Sequence, residues 1–205
     1  MLIDKSIVEF LNETASSNPV PGGGSIAAQS GATAAALVEM VANLTIGKKA
    51  YENVSDEMKQ VAQKAGVLRA ELIKEIDRDS DAFKEVMAAY KLPKNSKEEQ
   101  EFRSNKIQAC TKYAALVPLE VARKSYEIIQ LSKEVVNTGN KNAVTDGIVS
   151  AMMARTSALS AIYNVKINLS SIKDVDFVER TFVEINKIEV YVKTIEKEIM
   201  ESVQL

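Results

Sequence analysis

The chain has 205 residues, of which 46% are apolar and 26% are charged, and its net charge is −2. Such a composition supports a sizeable core and gives no electrostatic reason to expect binding to nucleic acid or an anionic membrane. The sequence contains no histidine and a single cysteine, Cys110. Histidine-based metal sites, Ser-His-Asp triads, Cys-His dyads and an internal disulfide are therefore excluded.

A first helix is predicted over residues 2–15. The charges of Asp4, Lys5 and Glu9 in this segment are not those of a signal peptide. Together with the single cysteine, they favour a reducing, cytoplasmic location.

Residues 19–25 read PVPGGGS and form the most distinctive loop of the chain. Ser25 is predicted to be the N-cap of a helix over residues 25–46, which is rich in small side chains but too polar to span a membrane. Three glycines allow close approach to the backbone, and the free N–H groups of a helix start suit an anion. The alternative is a tight turn into a core helix. Gly47 suits the C′ position of this helix.

A long helix is predicted over residues 55–90 because apolar residues recur in steps of three and four. This stripe contains Met58, Val61, Ala65, Leu68, Leu72, Ile76, Phe83, Val86 and Tyr90. Asp79 falls in its middle, where an unpaired carboxylate costs several kcal/mol. It is therefore either a structural salt-bridge partner or a functional group with a raised pKa or a bound cation.

Pro93 ends this helix, and Ser96 with Glu99 forms a capping box for a helix that continues to residue 138. A kink or break is expected near Pro118. The loop at 139–142 reads GNKN and precedes a second small-residue helix over 143–169. Asp174 begins the last helix, which extends to residue 203.

The predicted fold is all-α: a single domain over residues 1–205, built as an elongated bundle of long antiparallel helices. A helix of about 35 residues is about 50 Å long, more than a compact domain of this size needs. The clean apolar stripes therefore suggest a symmetric dimer.

The two loops at 19–25 and 139–142 are alike. Each contains glycine, which makes its backbone flexible, and each leads into a helix rich in small residues. If the two helices packed in parallel, both positive N-termini would face one cleft. Asp146 lies in the first turn of the second helix, where an acid is also favoured for structural reasons alone. Lys48 and Lys49 are most simply partners of a helix C-terminus, and several asparagines, including Asn164 and Asn168, could contact an amide-rich ligand.

Several blocks of the sequence, in order, resemble one family. They are PVPGGGSIAA at 19–28, MVANLTIGKK at 40–49, DSDAF at 79–83 with Pro93, GNKNAVTD at 139–146 and NVKINL at 164–169. This pattern is similar to the cyclodeaminase/cyclohydrolase family. That family comprises formiminotetrahydrofolate cyclodeaminases, alone or fused to a formiminotransferase domain, and bacterial methenyltetrahydrofolate cyclohydrolases.

The resemblance implies an all-helical homodimer that binds a reduced folate, needs no metal or prosthetic group, and serves one-carbon metabolism and histidine degradation. The expected reaction is cyclodeamination of 5-formimino-tetrahydrofolate to 5,10-methenyl-tetrahydrofolate with release of ammonia. The alternatives are a cyclohydrolase that forms 10-formyl-tetrahydrofolate and a non-catalytic folate-binding dimer.

Site roles follow as hypotheses from the resemblance. Either Asp146 or Asp79 is the general acid, and the other carboxylate stabilises the cationic product. The backbone of Gly23, Gly24 and Ser25 would contact the folate. Asn43 and Asn140 would hydrogen-bond to its pterin ring, and Lys48 and Lys49 would contact its anionic glutamate tail.

Overall fold

A computed structural model describes residues 1–204 and contains only helices in that range. The long elements are α1 (Ile7–Thr14), α2 (Gly23–Thr45), α3 (Ser55–Tyr90), α4 (Lys97–Thr138), α5 (Val144–Leu169) and α6 (Val175–Ser202). Short 3₁₀ helices lie at Leu2–Asp4, Lys49–Val54 and Lys141–Ala143. The all-α prediction is confirmed.

Two predicted helix starts are wrong. The N-terminal segment is broken because Ser6 caps α1 in a capping box with Glu9, which separates it from the preceding 3₁₀ turn. α2 begins at Gly23 with Gly22 as its N-cap, two residues before the predicted start. Ser25 is therefore not a cap, and its buried hydroxyl bonds to α3 instead.

Other termini follow the predicted signals. Ser96 and Glu99 form the capping box at the start of α4, and Asp174 accepts a hydrogen bond from the backbone N–H of Phe177 at the start of α6. Gly47, just after α2, has a φ of 77°, the left-handed conformation that glycine adopts most readily. Pro118 does not break α4, which is continuous through that position.

Consecutive long helices run antiparallel, as predicted. Arg69 of α3 bonds to Glu39 of α2, whereas the far end of α3 meets the start of α2 through Ser25. α4 returns along α3 and then packs on α5, and α6 lies over α4 and α5. The 42 residues of α4 give it a length of about 60 Å, which makes the bundle elongated.

The predicted stripe of α3 is correct only for its first half. The members of the stripe from Met58 to Ile76 are buried, but Phe83 and Tyr90 are 38% and 47% exposed. The reason is that α2 begins level with Asp79, so the last turns of α3 extend past the start of α2 and pack on α4. There the buried face rotates to Ala82 and Ala89.

Two serine pairs connect α4, α5 and α2 inside the core. Ser125 and Ser157 are 2.7 Å apart, and Ser157 donates to the carbonyl of Ala27. Ser132 and Ser150 are 2.9 Å apart, and Ser150 donates to the carbonyl of Ala34. All four hydroxyls are buried, and each is hydrogen-bonded.

Candidate active site

Asp79 of α3 packs directly on the first turn of α2. A Cβ added to Gly24 would lie 1.9 Å from Oδ1 of Asp79, so only glycine fits at position 24 with the carboxyl in this place. The hydroxyl of Ser25 donates to the carbonyl of Ile76 at 2.8 Å and lies 3.3 Å from Oδ2 of Asp79. The glycine-rich segment therefore allows a carboxyl group to approach the start of a helix.

Burial raises the pKa of the Asp79 carboxyl above its usual range. Contacts of the carboxyl group with the hydroxyl and the backbone of Ser25 lower its pKa, and the nearby charge of Glu75 raises it further. No Lys or Arg among residues 1–204 forms an ion pair with Asp79, so the salt-bridge alternative is wrong. A carboxyl group with a raised pKa is suited to proton transfer near neutral pH.

An open cavity of about 330 Å³ lies beside Asp79. Its lining consists of Pro19, Val20, Gly22, Gly23, Gly24, Asp79, Ala82, Phe83, Val86, Ala114, Asn164, Ile167 and Asn168. The polar side chains are one carboxyl and two amides, and the remainder is apolar. A cavity with a few polar groups among apolar walls is typical of a site for a small molecule with ring systems.

The asparagines of this cavity lie one turn apart on α5. Nδ2 of Asn168 donates to the carbonyls of Ala114 and Asn164, each at 2.9 Å. Nδ2 of Asn164 donates to the carbonyl of Ser160, also at 2.9 Å. The clustering of asparagines in the sequence pointed to these residues, but it did not assign them to the cavity.

The arrangement of α2 and α5 is antiparallel, because Ser157 bonds to Ala27 and Ser150 to Ala34. Their N-termini therefore lie at opposite ends of the bundle, and the hypothesis of two N-termini in one cleft is wrong. Continuing this register places Asp146 opposite Val38, in the second half of α2. Asp146 is then about 20 Å from Asp79 along the helix axis.

The predicted site residues consequently form two groups. Gly23, Gly24, Ser25 and Asp79 meet at the start of α2, although Ser25 lies beneath the cavity rather than in its wall. Asn43, Lys48 and Lys49 are exposed near the other end of α2. The two lysines line a separate depression of about 510 Å³ with Gly47, Glu52 and Ser55.

Asn140 is 4% exposed and is held by structural contacts. Its backbone N–H donates to Thr45, its Nδ2 donates to the carbonyl of Leu44, and its Oδ1 accepts from Asn142. These bonds attach the start of α5 to the end of α2. A contact between Asn140 and a ligand stays a prediction.

Sequence reasoning missed Glu75, which is 5% exposed and lies one turn before Asp79. Arg78 donates to both of its oxygens, and Lys124 lies 3.4 Å away. The only available signal was the spacing of four residues from Asp79, which puts both carboxylates on one face of α3.

Among residues 1–204, no group of three or more Cys, Asp or Glu side chains is placed to hold a metal ion. None of the helices in that range is long and apolar enough to cross a membrane.

Known proteins resemble this chain along most of its length. The family model described as formiminotransferase-cyclodeaminase matches residues 6–187. A methenyltetrahydrofolate cyclohydrolase from Methylorubrum extorquens is 42% identical over 201 residues, which cover 98% of this chain and 97% of that protein. The formimidoyltransferase-cyclodeaminase of Rattus norvegicus is 33% identical over 180 residues, which cover 88% of this chain but only 33% of the rat protein.

The crystal structure of formiminotetrahydrofolate cyclodeaminase from Thermotoga maritima superimposes with a TM-score of 0.89 at 31% identity. The match covers 98% of this chain and 96% of that one. The sequence relationship and the shared bundle agree, and the chain therefore belongs to the formiminotransferase-cyclodeaminase family of folate-processing enzymes.

Proposed function

We propose that this chain closes or opens the methenyl bridge of tetrahydrofolate and that Asp79 carries the proton. The observation that supports this proposal is a buried carboxyl group, without a cationic partner among residues 1–204, at the edge of a cavity suited to a ring ligand. The activities named for its relatives concern the same one-carbon unit of folate. A positioned acid or base contributes roughly 10²- to 10⁴-fold to a rate.

Cyclodeamination is the first candidate reaction. The substrate enters as the amidinium, with its formimino nitrogen already protonated. N10 of 5-formimino-tetrahydrofolate attacks the formimino carbon and loses its proton, and the departing NH₂ group gains that proton and leaves as ammonia. Asp79 can accept the proton of N10 and deliver it to the leaving nitrogen, and its carboxylate form would then stabilise the methenyl cation. This reaction would place the chain in histidine degradation.

Hydrolysis of the methenyl bridge is the second candidate, and the full-length similarity to a protein named as a cyclohydrolase favours it. Water adds to the bridging carbon and loses a proton to the carboxylate of Asp79. The bond between N5 and this carbon then breaks as N5 receives that proton and the added hydroxyl releases its remaining proton to solvent, which gives 10-formyl-tetrahydrofolate. The same carboxyl serves as base and then as acid.

One assay separates these reactions. The purified chain is mixed with 5-formimino-tetrahydrofolate while methenyl absorbance and ammonia are followed together, and separately with methenyl-tetrahydrofolate. Enzyme-dependent appearance of both products establishes cyclodeamination, and accelerated loss of added methenyl absorbance establishes hydrolysis. Absence of both activities contradicts the catalytic proposal and leaves folate binding as the remaining alternative.

We also propose that two copies of this chain form the working enzyme, a single-domain protein of the cytoplasm that takes only its folate substrate. The outer face of α2 and α5 exposes large apolar side chains, namely Met40, Leu44, Val149, Met152 and Ile167. The Asp79 cavity lies near one end of this face, and Lys48, Lys49 and Asp146 lie toward the other. A two-fold axis across the face would bring the lysine end of one copy to the cavity of its partner.

Mixing two inactive variants tests this arrangement. Asp146→Asn is expected to keep the fold and lower turnover at least a hundredfold, as is Asp79→Asn. If each site takes Asp79 from one copy and Asp146 from the other, a mixed dimer has one intact site. Random exchange then restores about a quarter of the normal activity. Near-normal turnover of Asp146→Asn contradicts its assignment, and dimers that exchange without recovery contradict the shared site.

A further inference from the structure

The two cavity asparagines, Asn164 and Asn168, have fixed orientations. A backbone carbonyl only accepts hydrogen bonds, so the contacts of Asn168 with Ala114 and Asn164 require its NH₂ group on that side. Both N–H groups of Asn168 are used in this way. The contact with the carbonyl of Ser160 orients Asn164 by the same reasoning.

The amide oxygens of Asn164 and Asn168 are left without donors. No hydrogen bond from residues 1–204 reaches Oδ1 of either side chain, and both residues line the cavity of Asp79. Gly23 keeps the approach to Asn164 open, because a Cβ there would lie 3.3 Å from Nδ2 and 3.7 Å from Oδ1. Residues four apart on a helix are neighbours, so both acceptors belong to the same stretch of the cavity wall.

We propose that these two oxygens select the substrate by accepting hydrogen bonds from adjacent N–H donors on the edge of its ring. The fitting ligand is a 2-amino-4-oxo-pyrimidine, whose amino group would donate to Asn168 and whose ring N–H would donate to Asn164. This inference rests on the proposed function and adds to it the end of the folate that the cavity recognises. Asp79 is then available to transfer protons at the one-carbon end of the same ligand.

Neutral acceptors suit this site better than carboxylates. A second negative charge in the cavity would oppose ionisation of Asp79, whose pKa is already raised by burial and by Glu75. Amide oxygens accept the same donors without adding charge.

Binding measurements with two probes test the proposal. The probes are 5-formyl-tetrahydrofolate, which lacks the formimino leaving group, and its 2-desamino analogue, and the proteins are the unmodified chain and Asn168→Leu. We expect the unmodified chain to bind the amino compound about tenfold more tightly. The Leu variant, which has a similar volume but no acceptor, should bind both probes equally.

Gln108→Leu is the matched control. Gln108 also ties α4 to a backbone carbonyl near the end of α5, that of Ser171, but it does not line the cavity. Gln108→Leu should lose a similar hydrogen bond from a side-chain amide and keep the tenfold preference for the amino compound. Discrimination that persists in Asn168→Leu, or disappears equally in the control, overturns this inference alone. Failure of the unmodified chain to bind either folate overturns the proposed function and this inference with it.

Discussion

Replacing Gly24 with alanine tests whether the contact between α2 and Asp79 positions the carboxyl group. The added Cβ would lie 1.9 Å from Oδ1, 2.4 Å from Cγ and 2.6 Å from Oδ2 of Asp79. These distances are too short for any stable contact, so the carboxyl group must leave its position or the two helices must separate.

The expected stability change combines two opposing effects. Alanine gains up to about 1 kcal/mol over glycine in a helix, whereas overpacking costs about 1–3 kcal/mol. Gly66 of α3 is the matched control, because its added Cβ would only meet Glu39 at an ordinary 3.4 Å. Gly66→Ala should therefore be stabilised, and Gly24→Ala should be less stable than this control by about 1–3 kcal/mol.

Urea unfolding of both variants, with turnover measured on the same preparations, provides the readout. Displacement of Asp79 should lower turnover in Gly24→Ala by about a hundredfold, whereas Gly66→Ala should retain normal activity. Equal stabilisation of the two variants, with normal turnover in both, would refute the reasoning about this contact.

Three further predictions concern Asp79, the core and a helix cap. The folded state raises the pKa of Asp79 above the reference value of 3.8. The unmodified chain therefore loses stability relative to Asp79→Asn as pH rises from about 4 through the folded pKa. Thermal melts over this range should show the Tm of the unmodified chain falling progressively below that of Asp79→Asn. Leu72→Ala removes a fully buried side chain and should cost about 2–5 kcal/mol in urea unfolding; a loss below 1 kcal/mol would contradict the packing. Ser96→Ala removes the cap of α4 and should cost about 0.5–2 kcal/mol, whereas an unchanged melt would show that the cap contributes nothing.

Local signals predicted most of the fold. The apolar period of α3 and the capping residues of α4 and α6 act within a few residues, and these elements appear where expected. The start of α2 was misplaced because Ser25, a good cap by local criteria, finds a partner on α3 instead. The partial exposure of Phe83 depends on where α2 begins, which the sequence of α3 does not contain.

The candidate site was only partly accessible from the sequence. Asp79 was detectable as a charge within an apolar stripe, and the glycines as a rare loop. Their contact is tertiary and could not be read from either segment. The placement of Asp146 away from Asp79 follows from the antiparallel register of α2 and α5, which depends on buried hydroxyls of Ser150 and Ser157.

The two serine pairs also restrict how the length of this chain can change. Their members lie seven residues apart on both α4 and α5, at 125 and 132 and at 150 and 157, and they meet carbonyls seven residues apart on α2. Inserting or deleting one residue between the pairs would misalign one of them and leave buried hydroxyls without partners. Related chains should therefore vary in length at loops and helix ends, while these two-turn segments keep a constant residue count.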